Sequence, residues 1–426
     1  MTHDETIVLF VSKPDAMWIT WDGRIEEEEN SMRNFGRGVL AVALASGTMV
    51  SAVSAFAADP IIVGAAVARS GWMVQYDEGP LNAAKLAIEE INAKGGVLGR
   101  PLSLVISDSK TDPAGSARAA SEVLAQGAQL VITSCDFDYG APAALTANAQ
   151  KVVAFGTCAA DPKFDAFAIG PYAFSMATAT PGLGALSAEW AFKKAGWRTA
   201  YVLLDTMLDY NKSVCSSFTQ VWTELAGADS IIGTDTFNGN DMSYPAQISR
   251  LKNLPKQPDF VMFCSAGGGA VAMLRQIRSA GIETQILASD SMDGDNWLES
   301  VPKLSNFQYG AYGSLFGDDP NPEVRAFMDK YTAKFGAKPI SSQALTGYSV
   351  IQAYALAAER AKSLDADAVV AELEKFKAEP LLVGQTTFTE DRHINYDRGQ
   401  LIMKVEDGKH KAVEWQLPTS VPNPFK

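Results

Sequence analysis

Residues 83–113 of the 426-residue chain read AAKLAIEEINAKGGVLGRPLSLVISDSKTDP. Apolar side chains up to Ile91 recur at the three- and four-residue spacing of a helix, and the glycine pair at 95–96 supplies its C-terminal stop. Residues 102–106 then alternate as a strand does. Asp112 followed by proline is a typical N-cap with proline at the first helical position. This stretch therefore predicts a helix, a strand and a second helix in close succession.

The same alternation extends over most of the chain. Strands are predicted at 61–66, 102–106, 130–133, 152–155, 200–204, 260–263 and 285–288, with helices between most of them. Repeated strand–helix–strand units indicate parallel sheets covered by helices on both faces. From Asn321 the pattern is mostly helical, and strands return at 386–389 and 400–405. The fold class is therefore predicted as α/β.

Residues 32–57 form a pattern typical of a secretory signal peptide. Arg33 and Arg37 give it a basic start, residues 38–53 are uncharged and mostly apolar, and a small-x-small site ends at Ala57. Cleavage is predicted after Ala57, which would give a periplasmic protein. A membrane anchor is the alternative interpretation.

Residues 1–31 precede this signal and show no useful helical or strand period. Four consecutive glutamates, at 26–29, lie just upstream of Met32, and a purine-rich ribosome-binding site gives such a run when translated. We therefore interpret residues 1–31 as a mis-called or disordered N-terminal extension, with translation starting at Met32. A genuine extension is the alternative, and it would place the signal inside the chain.

Composition and motifs exclude several classes of function. The net charge of −13 at pH 7 opposes binding to nucleic acid or to an anionic membrane through a general electrostatic field. The only histidines after the signal are His393 and His410, late in the chain, whereas a Ser or Cys nucleophile needs a nearby base. No G-x-S-x-G elbow, P-loop or zinc-ligand spacing occurs. We therefore predict no enzyme, no cofactor and no metal site.

The run Glu90–Arg100 and the Asp112-Pro113 helix start resemble the type I periplasmic binding proteins. The likeness is greatest to the Leu/Ile/Val-binding branch of ABC-transporter receptors. Weaker matches follow at 70–71, 131–136, 157–162, 290, 335–336 and 346–348. Because these matches cover nearly all of the chain after the signal, chance similarity is a poor explanation.

This resemblance implies two lobes, each a doubly wound parallel sheet, joined by a three-strand hinge. Applied to this sequence, lobe 1 comprises 58–177 plus 317–383, and lobe 2 comprises 178–316 plus 384–426. The ligand would lie between the lobes, and closure about the hinge would trap it.

Loops after strand ends supply the candidate ligand-binding residues, because ligands of open parallel sheets lie beyond the carboxyl ends of the strands. The candidates are Ser70, Trp72, Tyr76, Asp136, Phe137, Thr157, Cys158, Ala159, Ala160, Tyr210, Ser265, Ala266, Asp290 and Asp293.

In the first lobe, Trp72 and Tyr76 are expected to pack on a ligand, although Trp72 could instead cover the lobe surface. Asp136 would repel a carboxylate and attract an amine; a helix cap is the alternative role. In the family the segment matching 157–160 binds the ligand through backbone groups and a threonine hydroxyl. Ala160 occupies that threonine position here, which weakens the case for branched-chain amino acids.

In the second lobe, Tyr210 resembles the tyrosine that stacks on ligand in the family. Ser265 and Ala266 offer small, backbone-rich contacts after a strand. Asp290 and Asp293 follow another strand, and an acid in this loop often takes a ligand ammonium; exposure to solvent is the alternative for each.

Aromatic rings together with carboxylates suit a cationic or zwitterionic ligand. The predicted function is an extracytoplasmic receptor of an ABC importer that captures an amino acid, a related small amine or an aromatic or organic acid. Its predicted partner is an ABC permease in the membrane, and the receptor itself is predicted to be monomeric. A sensor that presents the same clamp to a membrane signalling protein is the alternative.

Four cysteines follow the signal, and export permits disulfides. Cys135 and Cys158 end neighbouring strands of lobe 1, whereas Cys215 and Cys264 both lie in lobe 2. Disulfides are therefore considered for Cys135–Cys158 and Cys215–Cys264. Four free buried thiols are the alternative, because sequence does not give the distances that bridging needs.

Overall fold

The structure, a computed structural model, describes residues 59–424, so the predicted signal peptide and the extension at 1–31 lie outside the described residues. The strands are β1 Ile61–Val67, β2 Leu102–Asp108, β3 Leu130–Thr133, β4 Val153–Gly156, β5 Ala173–Thr178, β6 Ala200–Asp205, β7 Ile231–Phe237, β8 Phe260–Cys264, β9 Gln285–Ala288, β10 Phe307–Ala311, β11 Glu379–Leu381, β12 Gly384–Thr386, β13 Ile394–Asn395, β14 Gln400–Glu406 and β15 Lys409–Gln416. The helices are α1 Val74–Ala93, α2 Pro113–Ala125, α3 Phe137–Ala149, α4 Thr180–Lys193, α5 Asp209–Ala226, α6 Pro245–Lys252, α7 Gly267–Ser279, α8 Pro322–Phe335, α9 Ala344–Ala361 and α10 Ala366–Leu373.

The first lobe is built on a sheet in the order β13-β5-β4-β3-β1-β2, in which every pairing is parallel. Strands β3 and β4 are buried along their whole length, as a parallel sheet covered on both faces requires. One core includes side chains of α1, α8 and α9, so the late helices belong to this lobe. A second core places side chains of α2 and α3 against the same sheet.

The second lobe is built on a sheet in the order β15-β14-β10-β9-β8-β6-β7. Strands β7, β6, β8, β9 and β10 are parallel, and β14 and β15 add an antiparallel edge. Helices α4 and α5 pack in one core of this lobe and α7 in another. The parallel strands repeat the order found in the first lobe, so the predicted α/β fold with two doubly wound lobes is confirmed.

The chain passes between the two sheets three times, which forms the hinge. The crossings follow β5, follow β10, and lie between β13 and β14. The predicted boundary at 384 assigned β13 to lobe 2, but Ile394 pairs with Ser175 of β5 in the first sheet. The second sheet resumes only at Gln400. The other predicted boundaries stay predictions.

Strands β5, β7, β10, β11, β13 and β15 were not predicted from the sequence. β7 and β15 are edge strands whose side chains are mostly half-buried or exposed, and several of those side chains are charged or polar. The strand predicted at 386–389 overlaps β12, which spans Gly384–Thr386, only at Thr386. Polar edge strands lack the apolar run by which a buried parallel strand is recognised.

Both disulfides considered from the sequence are formed. Cys135–Cys158 joins the residues that follow β3 and β4, with 4.5 Å between Cα atoms. Cys215–Cys264 joins α5 to the end of β8, with 5.8 Å between Cα atoms. Each therefore lies within a single lobe. Among the helices of residues 59–424, none is long and apolar enough to cross a membrane.

A close contact between α1 and α9 holds the first lobe together. A Cβ atom on Gly347 would lie 2.0 Å from the carbonyl oxygen of Pro80, so only glycine permits this approach of the two helices. A Cβ on Gly79, in the same interface, would meet nothing closer than Ala344 Cβ at 3.7 Å. The glycine of the 346–348 match therefore has a packing role.

We expect Gly347→Ala to lower the free energy of unfolding by about 1–3 kcal/mol, because the new methyl group forces α1 and α9 apart. Gly79→Ala is the matched control, and it should be neutral or stabilising by up to about 1 kcal/mol through helix propensity. Urea denaturation followed by circular dichroism measures both. Equal effects of the two substitutions would contradict the assigned role of Gly347.

Candidate ligand-binding site

A small cavity lies between the lobes, beyond the carboxyl ends of the strands of both sheets. The space open to the centre of a water molecule is about 30 Å³. The lining residues are Trp72, Met73, Tyr76, Cys135, Asp136, Cys158 and Gln343 from the first lobe, and Leu208, Tyr210, Ala266, Asp290 and Ser291 from the second. This is the position where open parallel sheets bind ligands.

Two carboxylates, one from each lobe, contribute to the wall. Asp136 follows β3 and caps α3, and its Oδ1 accepts a hydrogen bond from the Asp138 amide at 2.8 Å. Burial, and next the neighbouring Asp138 carboxylate, raise the pKa of Asp136 to about 8. Asp290 follows β9 and accepts a hydrogen bond from the Tyr210 hydroxyl. Burial also raises the pKa of Asp290. No Lys, Arg or His among residues 59–424 forms an ion pair with either carboxyl group, and none is among the causes of the two pKa shifts.

Three aromatic side chains, Trp72, Tyr76 and Tyr210, also line the cavity. The Trp72 ring packs edge-to-face on Tyr76 and on Tyr139, with centroid separations of 6.0 and 5.6 Å. The Tyr76 hydroxyl accepts a hydrogen bond from the Gly267 amide at 2.9 Å and donates one to the Ser291 carbonyl at 3.2 Å. Tyr76 therefore spans the cleft from α1 to two loops of the second lobe.

Asp77, which the sequence analysis did not select, organises the first-lobe loops beneath the cavity. Its Oδ2 accepts hydrogen bonds from the Ala68 amide and the Ser134 hydroxyl, and its Oδ1 accepts one from the Cys135 amide, each at 2.7 Å. Burial raises its pKa to about 6 in spite of these bonds. The loops after β1 and β3 are thereby held to one buried group.

Gln343 also lines the cavity and was not among the residues predicted from the sequence. It lies just before α9 and donates a hydrogen bond from Nε2 to the Asp290 carbonyl at 3.4 Å. Residue 343 was predicted only as part of a helix. Its contribution to the cleft depends on the distant segment that follows β9, and no local pattern encodes that contact.

The structure brings together half of the predicted ligand-binding residues. The candidates that line the cavity are Trp72, Tyr76, Asp136, Cys158, Tyr210, Ala266 and Asp290. They come from six different loops or helix starts, as expected for a site at the ends of parallel strands. Their role in binding stays a proposal.

In the first lobe, five candidates lie away from the cavity. Ser70 is exposed, and its hydroxyl donates a hydrogen bond to Asp108 Oδ2 at 2.7 Å. Phe137 turns instead toward Phe164 and carries the Lys163 ammonium over its ring at 4.6 Å. The remaining three are buried in the first lobe or in the cores behind the cleft, namely Thr157, Ala159 and Ala160.

In the second lobe, two candidates contact protein groups rather than the cavity. Ser265 is buried and donates its hydroxyl hydrogen to Asp205 Oδ2 at 2.8 Å. Asp293 is buried, not solvent-exposed, and its Oδ2 accepts hydrogen bonds from the amide and hydroxyl of Ser342 in the first lobe, at 2.6 and 2.5 Å. Asp293 therefore ties the lobes together beside the cavity.

Ion pairs also cross the cleft at its rim. Lys163 of the first lobe lies 2.5 Å from an Asp209 carboxylate oxygen of the second. Lys338 of the first lobe lies 2.7 Å from Asp295 of the second. These pairs are partly exposed, so each contributes at most about 1 kcal/mol to closure. Among the described residues, no group of His, Cys, Asp and Glu side chains could hold a metal ion.

Comparison with known proteins accounts for this architecture. A family model for periplasmic binding proteins matches residues 60–409. The leucine-specific-binding protein of Salmonella typhimurium is 24% identical over 333 residues, which cover 76% of this chain and 84% of that protein. The leucine-, isoleucine-, valine-, threonine- and alanine-binding protein of Pseudomonas aeruginosa is 25% identical, covering 74% and 82%.

A solved structure shows the same fold. The branched-chain amino acid transporter substrate-binding protein of Streptococcus pneumoniae, in complex with isoleucine, superposes with a TM-score of 0.75 at 24% identity, covering 84% of this chain and 100% of that one. The family comprises substrate-binding proteins rather than enzymes, and it implies an extracytoplasmic location. With a match that spans nearly all of its two lobes, the chain belongs to the type I periplasmic binding proteins, the solute-binding receptors of ABC transporters.

Proposed function

We propose that this protein is the receptor of an ABC importer and that it captures a small amine-bearing solute between its lobes. The observation that carries the proposal is the pair of carboxylates, Asp136 and Asp290, which approach one cavity from opposite lobes. No Lys, Arg or His belongs to the lining of that cavity in the described part of the chain. An ammonium group would pair with these carboxylates and lie against the aromatic rings.

A ligand carboxylate would find few free donors at this site. The α3 N-terminus is already occupied by Asp136, which accepts from the Asp138 amide. The Gly267 amide at the start of α7 donates to Tyr76, and the Thr180 amide at the start of α4 donates to the Ala160 carbonyl. Because helix N-termini are the usual anion sites, the site favours the amine end of a solute over an acid.

The proposed ligand would have an amino group in common with the amino acids for which the relatives are named. Those relatives are named for leucine and other amino acids, and the related solved structure holds isoleucine. Loss of the threonine hydroxyl at Ala160 and the presence of Asp136 argue against a second, carboxylate-specific end of the site. Simple amines and amine-bearing derivatives without a free carboxylate therefore fit best, ahead of amino acids and aromatic acids.

Capture would follow from contacts that a ligand makes with both lobes at once, since such contacts favour the closed over the open arrangement. The closed receptor, acting as a monomer, would then dock on a membrane permease. Export through the signal peptide at 32–57, with cleavage after Ala57, would place it in the periplasm. The basic start, apolar run and small-x-small site of that segment support this route.

A binding screen tests the proposed function. The purified receptor should be stabilised by n-alkylamines, and by about 2.7 kcal/mol at a concentration of 100 Kd, whereas acetate and benzoate should have no effect. Asp290→Asn should weaken amine binding about tenfold or more, because a charge-assisted contact is lost, and the exposed Asp329→Asn is the control. Thermal shift and calorimetry provide the readout. Binding of acids but not amines would refute the proposal.

The raised pKa of Asp136, about 8, predicts a pH dependence of binding. An ammonium ligand prefers the ionised carboxylate, so below pH 8 binding must release a proton, and affinity should rise by up to about tenfold per pH unit. Above pH 8 the affinity should level off until the amine itself deprotonates near pH 10. Calorimetry between pH 6 and 9 measures this slope, and Asp136→Asn should make it shallower. A flat or falling affinity in the unmodified protein would contradict the prediction.

Removing each disulfide in turn would distinguish an effect on the stability of the fold from an effect on the geometry of the site. Removing either should lower the free energy of unfolding by roughly 3–4 kcal/mol, given loops of 23 and 49 residues. Only the C135S/C158S variant should also weaken amine binding, because Cys135 and Cys158 line the cavity and hold Asp136 beside it. The C215S/C264S variant is the matched control, with a bond inside the second-lobe core. Equal loss of affinity in both variants would show that the effect is not local.

A further inference from the structure

A second, smaller cavity adjoins the ligand cavity. The space open to a water centre is about 20 Å³, which is enough for one water-sized group. Tyr76 and Ser291 belong to the walls of both cavities, so the two chambers adjoin at these residues. The other polar lining residues of the second chamber are Gln75, Asp293, Asn296, Trp297 and Ser341.

Two buried polar atoms of that lining have no hydrogen-bond partner. They are Oδ1 of Asp293 and Nε1 of Trp297, in side chains that are 6% and 8% exposed. Buried polar atoms are nearly always satisfied in native proteins, and an unpaired carboxylate oxygen is especially costly. The other oxygen of Asp293 is fully engaged with Ser342, so Oδ1 is the oxygen left for a further donor.

We propose that the second chamber is a subsite for a second amino group of the ligand, so that the receptor selects short α,ω-diamines over monoamines. One ammonium would lie between Asp136 and Asp290, and the alkyl chain would pass Tyr76. The second ammonium would then donate a hydrogen bond to Asp293 Oδ1. Water-sized space and an acidic acceptor suit a terminal ammonium, and a longer or branched group would not fit the chamber.

The subsite would also couple ligand length to closure. Asp293 of the second lobe already accepts two hydrogen bonds from Ser342 of the first, so a ligand that reaches Oδ1 would contact a carboxylate that links the two lobes. Monoamines would bind the first chamber and leave this group without its donor. This inference rests on the proposed amine site and adds the chemistry of the distal end of the ligand.

Calorimetry with matched series tests the proposal, using 1,2-diaminoethane to 1,5-diaminopentane against n-alkylamines of equal carbon number. We expect at least one diamine to bind about tenfold tighter than its monoamine, as a charge-assisted hydrogen bond provides. Asp293→Asn keeps an oxygen for Ser342 but presents an N–H donor to the chamber. It should reduce that ratio of diamine to monoamine affinity to about one.

Asp295→Asn is the matched control, since Asp295 lies in the same loop and pairs with Lys338 at the rim without lining the chamber. It should affect monoamines and diamines equally. Monoamine binding with no gain for any diamine, or an unchanged ratio in Asp293→Asn, would overturn the subsite and leave the proposed function intact. Failure of every amine to bind would remove both proposals.

Discussion

The cleft depends on one buried carboxylate. Asp77 accepts hydrogen bonds from the loops after β1 and β3, and so fixes the place where Cys135 and Asp136 enter the cavity wall. Its folded pKa of about 6 lies above the usual value near 3.9. The stabilising contribution of its protonated form is therefore complete below about pH 4 and is lost as pH rises through 6. The residue that holds the loops is thus one whose ionisation burial disfavours.

Burial disfavours ionisation of the carboxyl groups that line the two cavities as well. The pKa values of Asp136, Asp290 and Asp293 are all raised, in each case mainly by burial. Such groups destabilise a fold when they ionise without a partner. Buried charged groups that packing does not require are typical of functional sites. Here the groups are acids, so a bound cation would stabilise their ionised forms.

Many helices and strands were predictable because caps and apolar runs within a few residues of each other indicate them. The helix at Asp112 begins where the cap and proline predict, and the buried strands β3, β4 and β8 stand out as apolar runs. Polar edge strands such as β7 and β15 lack that pattern. The parallel topology correctly indicated that the loops after the strands lie together at one edge of each sheet.

The site was predictable only in part, because a loop residue can turn toward the cavity or away from it. Ser70 was expected at the ligand, but Asp108 captures its hydroxyl outside the cleft. Asp77 was missed because its partners, Ser134 and Cys135, lie 57 and 58 residues away. Contacts of this range carry no signal in a single sequence.

The placement of the covalent cross-links has a mechanical consequence. Cys135–Cys158 lies within the first lobe and Cys215–Cys264 within the second, and neither bond crosses the cleft. Oxidation of the four cysteines therefore cross-links each lobe internally and places no disulfide between the lobes. Within residues 59–424, the lobes are joined covalently by the three hinge crossings alone, and across the cleft they are held by hydrogen bonds such as Ser342 to Asp293 and by partly exposed ion pairs.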